Sequence, residues 1–184
     1  IHYQLETKTI SYFELNSFAR IPKLINHLNS GEDLALVSDA GTPGISDPAY
    51  RLIRAAIDSN FLVQSIPGPS AFLTALVCSG LPTDRFIFEG FLPHKKGRKG
   101  KLEKIKDIDA TVIYYESPNR IKKTLNDILK YVGDRPAVIC RELSKKFEEI
   151  FRGKVSELLN NFNNGKAKGE FVIMIAKDDK NVYF

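Results

Sequence analysis

Leu34-Ala-Leu-Val-Ser-Asp-Ala-Gly-Thr-Pro-Gly-Ile-Ser-Asp-Pro48 sets an apolar run, a glycine-rich turn and a helix start in direct succession. Leu34 to Val37 has the continuous apolar character of a strand covered on both faces. Asp47 followed by Pro48 predicts an N-cap and a first helical position, and Leu52, Ile53, Ala56 and Ile57 then recur at the spacing that turns one face inward. Phe61-Leu-Val-Gln-Ser-Ile66 reads as a second buried strand, so the stretch predicts a βαβ unit.

Upstream, Thr9 to Phe13 is β-prone, and Phe18, Ile21, Leu24, Ile25 and Leu28 mark an amphipathic helix that Gly31 stops. Downstream, Pro67-Gly-Pro-Ser70 opens an apolar helix to about Ser79, which Gly80-Leu-Pro-Thr83 ends. From Phe86 the pattern changes. Strands are expected at 86–89, 111–115, 137–140, 149–152 and 171–176, with helices after Ser117-Pro118 and over Val155–Phe162 and a basic loop at His94–Lys101. The expectation is an α/β protein of two domains. Residues 1–84 form a parallel doubly wound half, residues 85–184 a mixed-sheet half, and Asp178–Phe184 a loose end.

A chain of 184 residues, 43% hydrophobic, buries roughly 70% of its unfolded surface and needs no disulfide to fold. Cys78 and Cys140 lie in apolar runs without CxxC spacing and read as buried free thiols of a reducing, cytoplasmic compartment. No run approaches the roughly 20 apolar residues of a membrane span, and no export signal opens the chain. His2, His27 and His94 are scattered, so no metal is expected. The net charge of +5 fits a polyanionic partner.

The turn Ser38–Pro48 stands where ligands of parallel α/β sheets bind, beyond a strand's carboxyl end and before a helix. It lacks the Lys-Ser/Thr of a phosphate-binding loop and the spacing of the dinucleotide fingerprint, which argues against ATP and NAD. Asp39 suits a ribose hydroxyl or an amine; the alternative is a plain glycine turn with Asp47 capping a helix. Pro67-Gly-Pro-Ser-Ala71 repeats the arrangement, and there Ser70 either donates to a ligand or caps its helix, capping being the better-supported role. His94-Lys-Lys-Gly-Arg-Lys-Gly-Lys101 carries Lys95, Lys96, Arg98, Lys99 and Lys101 with no acid, which makes it the RNA-contact candidate; a solvated loop is the alternative.

Seven motifs in order resemble the tetrapyrrole methylase superfamily, and within it most closely the members that act on small-subunit ribosomal RNA. They are Ser38–Pro48, Ile66-Pro-Gly-Pro-Ser-Ala71, Gly80-Leu-Pro-Thr-Asp-Arg85, Phe88-Glu-Gly-Phe-Leu-Pro93, Tyr115-Glu-Ser-Pro118, Cys140-Arg-Glu-Leu143 and Lys168-Gly-Glu-Phe171. The resemblance implies two α/β domains holding S-adenosylmethionine between them, usually in a homodimer. It also implies methylation of a cytidine 2′-hydroxyl in the small ribosomal subunit or its RNA. The family's first strand with its Gly-Thr-Pro-Ile-Gly-Asn turn, and a Glu-Asp-Thr-Arg segment, have no counterpart here. With Ile1 in place of a methionine, N-terminal residues are expected to be missing.

By position, the resemblance makes Asp39, Ala40, Gly41, Thr42 and Pro43 the cofactor loop, with Ser70 and Ala71 as a second contact. Tyr115, Glu116, Arg141, Glu142, Gly169 and Glu170 are the remaining cofactor wall. A ribose hydroxyl is a weak acid, so positioning and a base are both wanted, and Glu116 and Glu142 are the candidate bases. Either glutamate has a competing role as the partner of Arg120 or Arg141 in a structural ion pair, the more favoured reading. Lys145 and Lys146 are placed to lower the hydroxyl pKa or hold a phosphate. Two other readings stay open: a precorrin-type tetrapyrrole methyltransferase, against which the basic loop argues, and a non-catalytic RNA-binding module.

Overall fold

Five apolar runs in the second half of the chain become one mixed sheet. The structure, a computed structural model, describes residues 6–162 and 167–183. His2 lies outside the described residues. The strands are β1 (Phe86–Phe91), β2 (Thr111–Glu116), β3 (Pro136–Arg141), β4 (Glu149–Lys154) and β5 (Phe171–Ile175), in the order β1-β2-β5-β3-β4. β1 and β2 are parallel, while β5 runs antiparallel to both β2 and β3, and β4 antiparallel to β3. The last strand in sequence therefore fills the gap between β2 and β3. All five of its residues are buried, as expected of a centre strand covered on both faces.

Side-chain alternation splits the sheet into two faces. Val112, Tyr114, Ile139, Ile173 and Ile175 pack beneath α4 (Arg98–Ile105), α5 (Ile121–Tyr131) and α6 (Val155–Asn161), through Leu102, Ile105, Leu125, Ile128 and Leu158. Ile113, Val138, Cys140, Val172 and Met174 pack against Ala75 and Leu76 of α3 (Ala71–Ser79). Gly80 ends α3 with φ +80, the left-handed conformation that suits glycine at a helix terminus. Arg152 Nε and Nη2 then donate to the last carbonyls of α3, Ser79 O and Cys78 O.

The chain divides into two compact units, Ile1–Pro69 and Ser70–Phe184. The sequence reading groups α3 with the first half, whereas its contacts fall on β5 and β2 of the second unit. In the first unit α1 (Ser17–Asn29) and α2 (Tyr50–Asp58) pack together, and Arg51 of α2 donates to Glu14 Oε1 at 2.6 Å and Ser17 Oγ at 3.1 Å.

Three expectations for this unit are corrected. Thr9–Phe13, Leu34–Val37 and Phe61–Ile66 form no strand, so no parallel sheet is built among the described residues of the first half. Their composition supplies strand propensity, but a strand exists only where a neighbour completes its hydrogen bonds, and here Val37, Leu62 and Ile66 stand 81%, 83% and 81% exposed. Helix α2 begins at Tyr50 with Ala49 as N-cap, not at Asp47, because Ser46 (φ +57) and an Ala49 N–H to Asp47 O bond carry the turn onward. Ile57, expected inward, is exposed.

Candidate active site

In the first unit the glycine turn is held open by its own backbone. Gly41 and Gly44 have φ +75 and +89, and Ser38 Oγ donates to Ala40 O at 3.1 Å. Thr42 Oγ1 donates to Pro69 O at 2.9 Å, which sets the turn Asp39–Pro43 beside the turn Pro67–Pro69. Asp39 is exposed and engaged in no hydrogen bond or ion pair among the described residues. No side-chain atom lies within 4 Å of where a Cβ on Gly41 would stand. The turn thus offers a free carboxylate and bare backbone.

In the second unit one end of the sheet gathers the residues singled out from sequence. Glu116, Phe171, Arg141 and Glu149 form the last cross-strand row. Arg141 Nε donates to Lys168 O at 2.7 Å and its Nη1 pairs with Glu149 Oε2 at 2.5 Å, closing the loop before β5 onto β3. Glu142 follows with φ +49, an uncommon value for a residue other than glycine, and its N–H donates to Glu170 O. Glu142 Oε1 accepts from Glu170 N at 2.9 Å and from Lys145 Nζ at 3.0 Å, and Lys145 Nζ also reaches Glu170 Oε2 at 2.8 Å. The Glu170 N–H first, and then Lys145, hold the Glu142 carboxyl below its ordinary value, while the two glutamates raise Lys145. Gly169, at φ +93, leaves room for this knot: a Cβ there would stand 2.5 Å from Glu142 Cγ.

Ser70 does not cap α3. Its backbone has the extended N-cap conformation, yet its side chain makes no cap bond, and the buried Oγ has no hydrogen-bond partner. Tyr115 supplies the acceptor instead, its hydroxyl taking the Phe72 N–H at 3.2 Å. The Tyr115 ring lies edge-on to Phe88 and Phe91, and burial raises its phenol pKa. Ser70, Ala71 and Tyr115 are therefore brought together at the start of α3.

Glu116 is corrected as a candidate base. It is 2% exposed, on the sheet face beneath α5, where Oε2 accepts from Thr124 Oγ1 at 2.6 Å and Oε1 from Ser117 N at 2.8 Å and Arg120 Nε at 3.2 Å. Its partner Arg120, four residues on, is legible in the sequence; Thr124 is not. Arg98 is corrected as an RNA contact. It is 6% exposed and donates to Asp127 Oδ2 and Thr124 Oγ1, both at 2.7 Å, and to Pro93 O. Lys101 is tied to Glu89 Oε2 at 2.7 Å. Lys95 and Lys96 stay exposed and have no ion-pair partner among the described residues, and Lys99 is exposed beside Glu103 at 3.6 Å. Residues 98–101, expected as loop, already belong to α4 behind Gly97 at φ +81. Sequence reasoning missed Asp127, since no local pattern links it to Arg98.

Residues 6–159 match the model of the tetrapyrrole (corrin/porphyrin) methylases, and the chain belongs to that family. Within it, the chain is similar to proteins named ribosomal RNA small subunit methyltransferase I. It is 46% identical to that of Halalkalibacterium halodurans over 98% of this chain and 63% of the relative. For Streptococcus pyogenes serotype M3 the identity is 47%, over 95% of this chain and 61% of the relative. For Thermotoga maritima it is 41%, over 95% and 78%. The chain thus spans 61% to 63% of the first two relatives' length. Among solved structures, the methyltransferase CobJ aligns over 92% of this chain and 74% of its own, with a TM-score of 0.66 at 19% identity. Uroporphyrin-III C-methyl transferase from Thermus thermophilus, complexed with S-adenyl homocysteine, aligns over 89% of this chain and 74% of its own, with a TM-score of 0.59 at 14% identity. At these identities the likeness is one of fold.

Proposed function

We propose that this chain belongs to an S-adenosylmethionine-dependent methyltransferase that acts on a cytidine 2′-hydroxyl of small-subunit ribosomal RNA. The observation that carries the reading is the 46% identity, over 98% of the chain, to a relative named ribosomal RNA small subunit methyltransferase I. In this reading the partners are the small ribosomal subunit or its RNA and a second copy of the protein, in the cytoplasm.

The residues fit the cofactor. A buried hydroxyl without a partner costs about 1–3 kcal/mol, so Ser70 Oγ is better satisfied by a bound group than without one. In the first unit, Asp39 would accept from the cofactor's hydroxyl or amino groups while Ala40, Gly41, Thr42 and Pro43 present backbone. In the second, Ser70, Ala71, Tyr115, Arg141, Gly169 and Glu170 stand at the sheet end and α3 start. S-adenosylmethionine supplies an electrophilic methyl group. The chain's own part is to align the ribose oxygen and to take its proton. Glu142 is the remaining candidate base, and the Glu170 N–H and Lys145 bonds that lower its pKa make its carboxylate a weaker proton acceptor. Lys145 holds that carboxylate in place.

Calorimetric titration with S-adenosylmethionine tests the reading. Binding by the wild-type chain, weakened about tenfold or more by Asp39→Ala through loss of a charge-assisted hydrogen bond, is expected. Unchanged affinity removes Asp39 from the site, and no binding by the wild type removes the cofactor.

A further inference from the structure

The cations that the sequence places in one loop part company in the structure. Arg98 and Lys101 turn inward, while Lys95 and Lys96 stay free. The contacts that bury Arg98 also fix the loop against α5. Arg98 bonds Thr124 and Asp127, and Arg120 Nη1 lies 3.3 Å from His94 Nε2. Arg120, Thr124 and Asp127 form one stripe at the i, i+4, i+7 spacing. At about 100° per residue, Lys123 and Lys130 fall together on the solvent flank beside that stripe, and Lys122 falls on the opposite flank.

Helix α4 adds Lys99 to the same flank. Lys99 Nζ lies 5.9 Å from the centroid of the Tyr131 ring, and Lys130 Nζ lies 5.2 Å from it. Two lysines from two helices therefore share one half-buried ring. Asp127 is neutralised by Arg98, and among the described residues Glu103 alone reaches Lys99 and no ion pair engages Lys95, Lys96, Lys123 or Lys130. The large exposed hydrophobic residues include none on α4 or α5, so the flank lacks what an amphipathic helix inserts into lipid.

We propose that α5 carries part of the RNA-contact surface. Lys123 and Lys130, with Lys99 and the loop lysines Lys95 and Lys96, form a phosphate-binding seam along α4 and α5 that holds the backbone of folded RNA. The seam reads charge and spacing, not bases. It rests on the RNA reading of the function given above.

Equilibrium binding of the full chain to a small-subunit ribosomal RNA fragment, measured against salt, tests it. Each phosphate contact contributes about 0.7 to 0.9 to the slope of log affinity against log salt, so K123Q/K130Q should lower the slope by about 1.4 to 1.8 and weaken binding. Lys122→Gln, with the same charge change on the same helix, should match the wild type. Unchanged binding by K123Q/K130Q, or equal weakening by Lys122→Gln, overturns the seam. A wild-type chain that binds RNA with the predicted variant pattern but methylates no ribose contradicts the functional reading and leaves the seam standing.

Discussion

Gly169 and Glu142 occupy their places by mutual exclusion. Gly169→Ala forces a Cβ to 2.5 Å from Glu142 Cγ at a φ of +93, so it should destabilise the protein by about 1–3 kcal/mol, read as a lowered urea midpoint. A midpoint equal to wild type would mean that the knot around Lys145 yields freely. The cysteines make a second residue-scale prediction. Both read as buried in the sequence, but Cys78 is on the exposed side of α3, while Cys140 is buried on the sheet face that packs against α3, with its thiol pushed up by burial to about 12. The thiolate is the reactive form, so one thiol should react with a disulfide reagent at pH 8 in the native state and two after unfolding. Two fast thiols in the native state would contradict the packing of Cys140. Apolar neighbours in sequence reveal hydrophobic character, but which side of α3 meets the sheet is a tertiary fact.

Helix α5 is pinned at its side by a buried cation as well as by its apolar face. Arg98→Met removes the partner of Asp127 and the donor to Thr124, leaving a carboxylate that is only partly solvated. Loss of about 3 kcal/mol or more is expected in chemical denaturation, whereas Lys95→Met should change stability by under about 0.5 kcal/mol. Equal effects would return Arg98 to the surface. This network also marks the limit of reading elements from sequence. β1 to β5 were legible because each is a β-prone run between turn signals, and α3, α5 and α6 because their apolar spacing is regular. The start of α4 was hidden by Gly97, Gly100 and five cations that resemble a solvated loop. The apolar runs of the first half carry the same signal as β5, yet without neighbouring strands they stay unpaired.

At the scale of the whole molecule, the two units hold different groups. The first holds a glycine turn with the exposed Asp39 carboxylate, and the second holds the Ser70 hydroxyl, the Arg141–Glu149 closure and the Lys145 knot. The motif order points to these positions, because turns before helices and strand ends are local features. Their partners were less legible: Tyr115 accepts the Phe72 N–H of α3 across 43 residues, and Arg98 serves Asp127 across 29. The most direct measurement is transfer of a labelled methyl group from S-adenosylmethionine to small ribosomal subunits lacking this modification, followed by mapping of the label. Label on a single cytidine 2′-oxygen is predicted; cofactor binding without any label on ribosomal RNA would contradict the assignment.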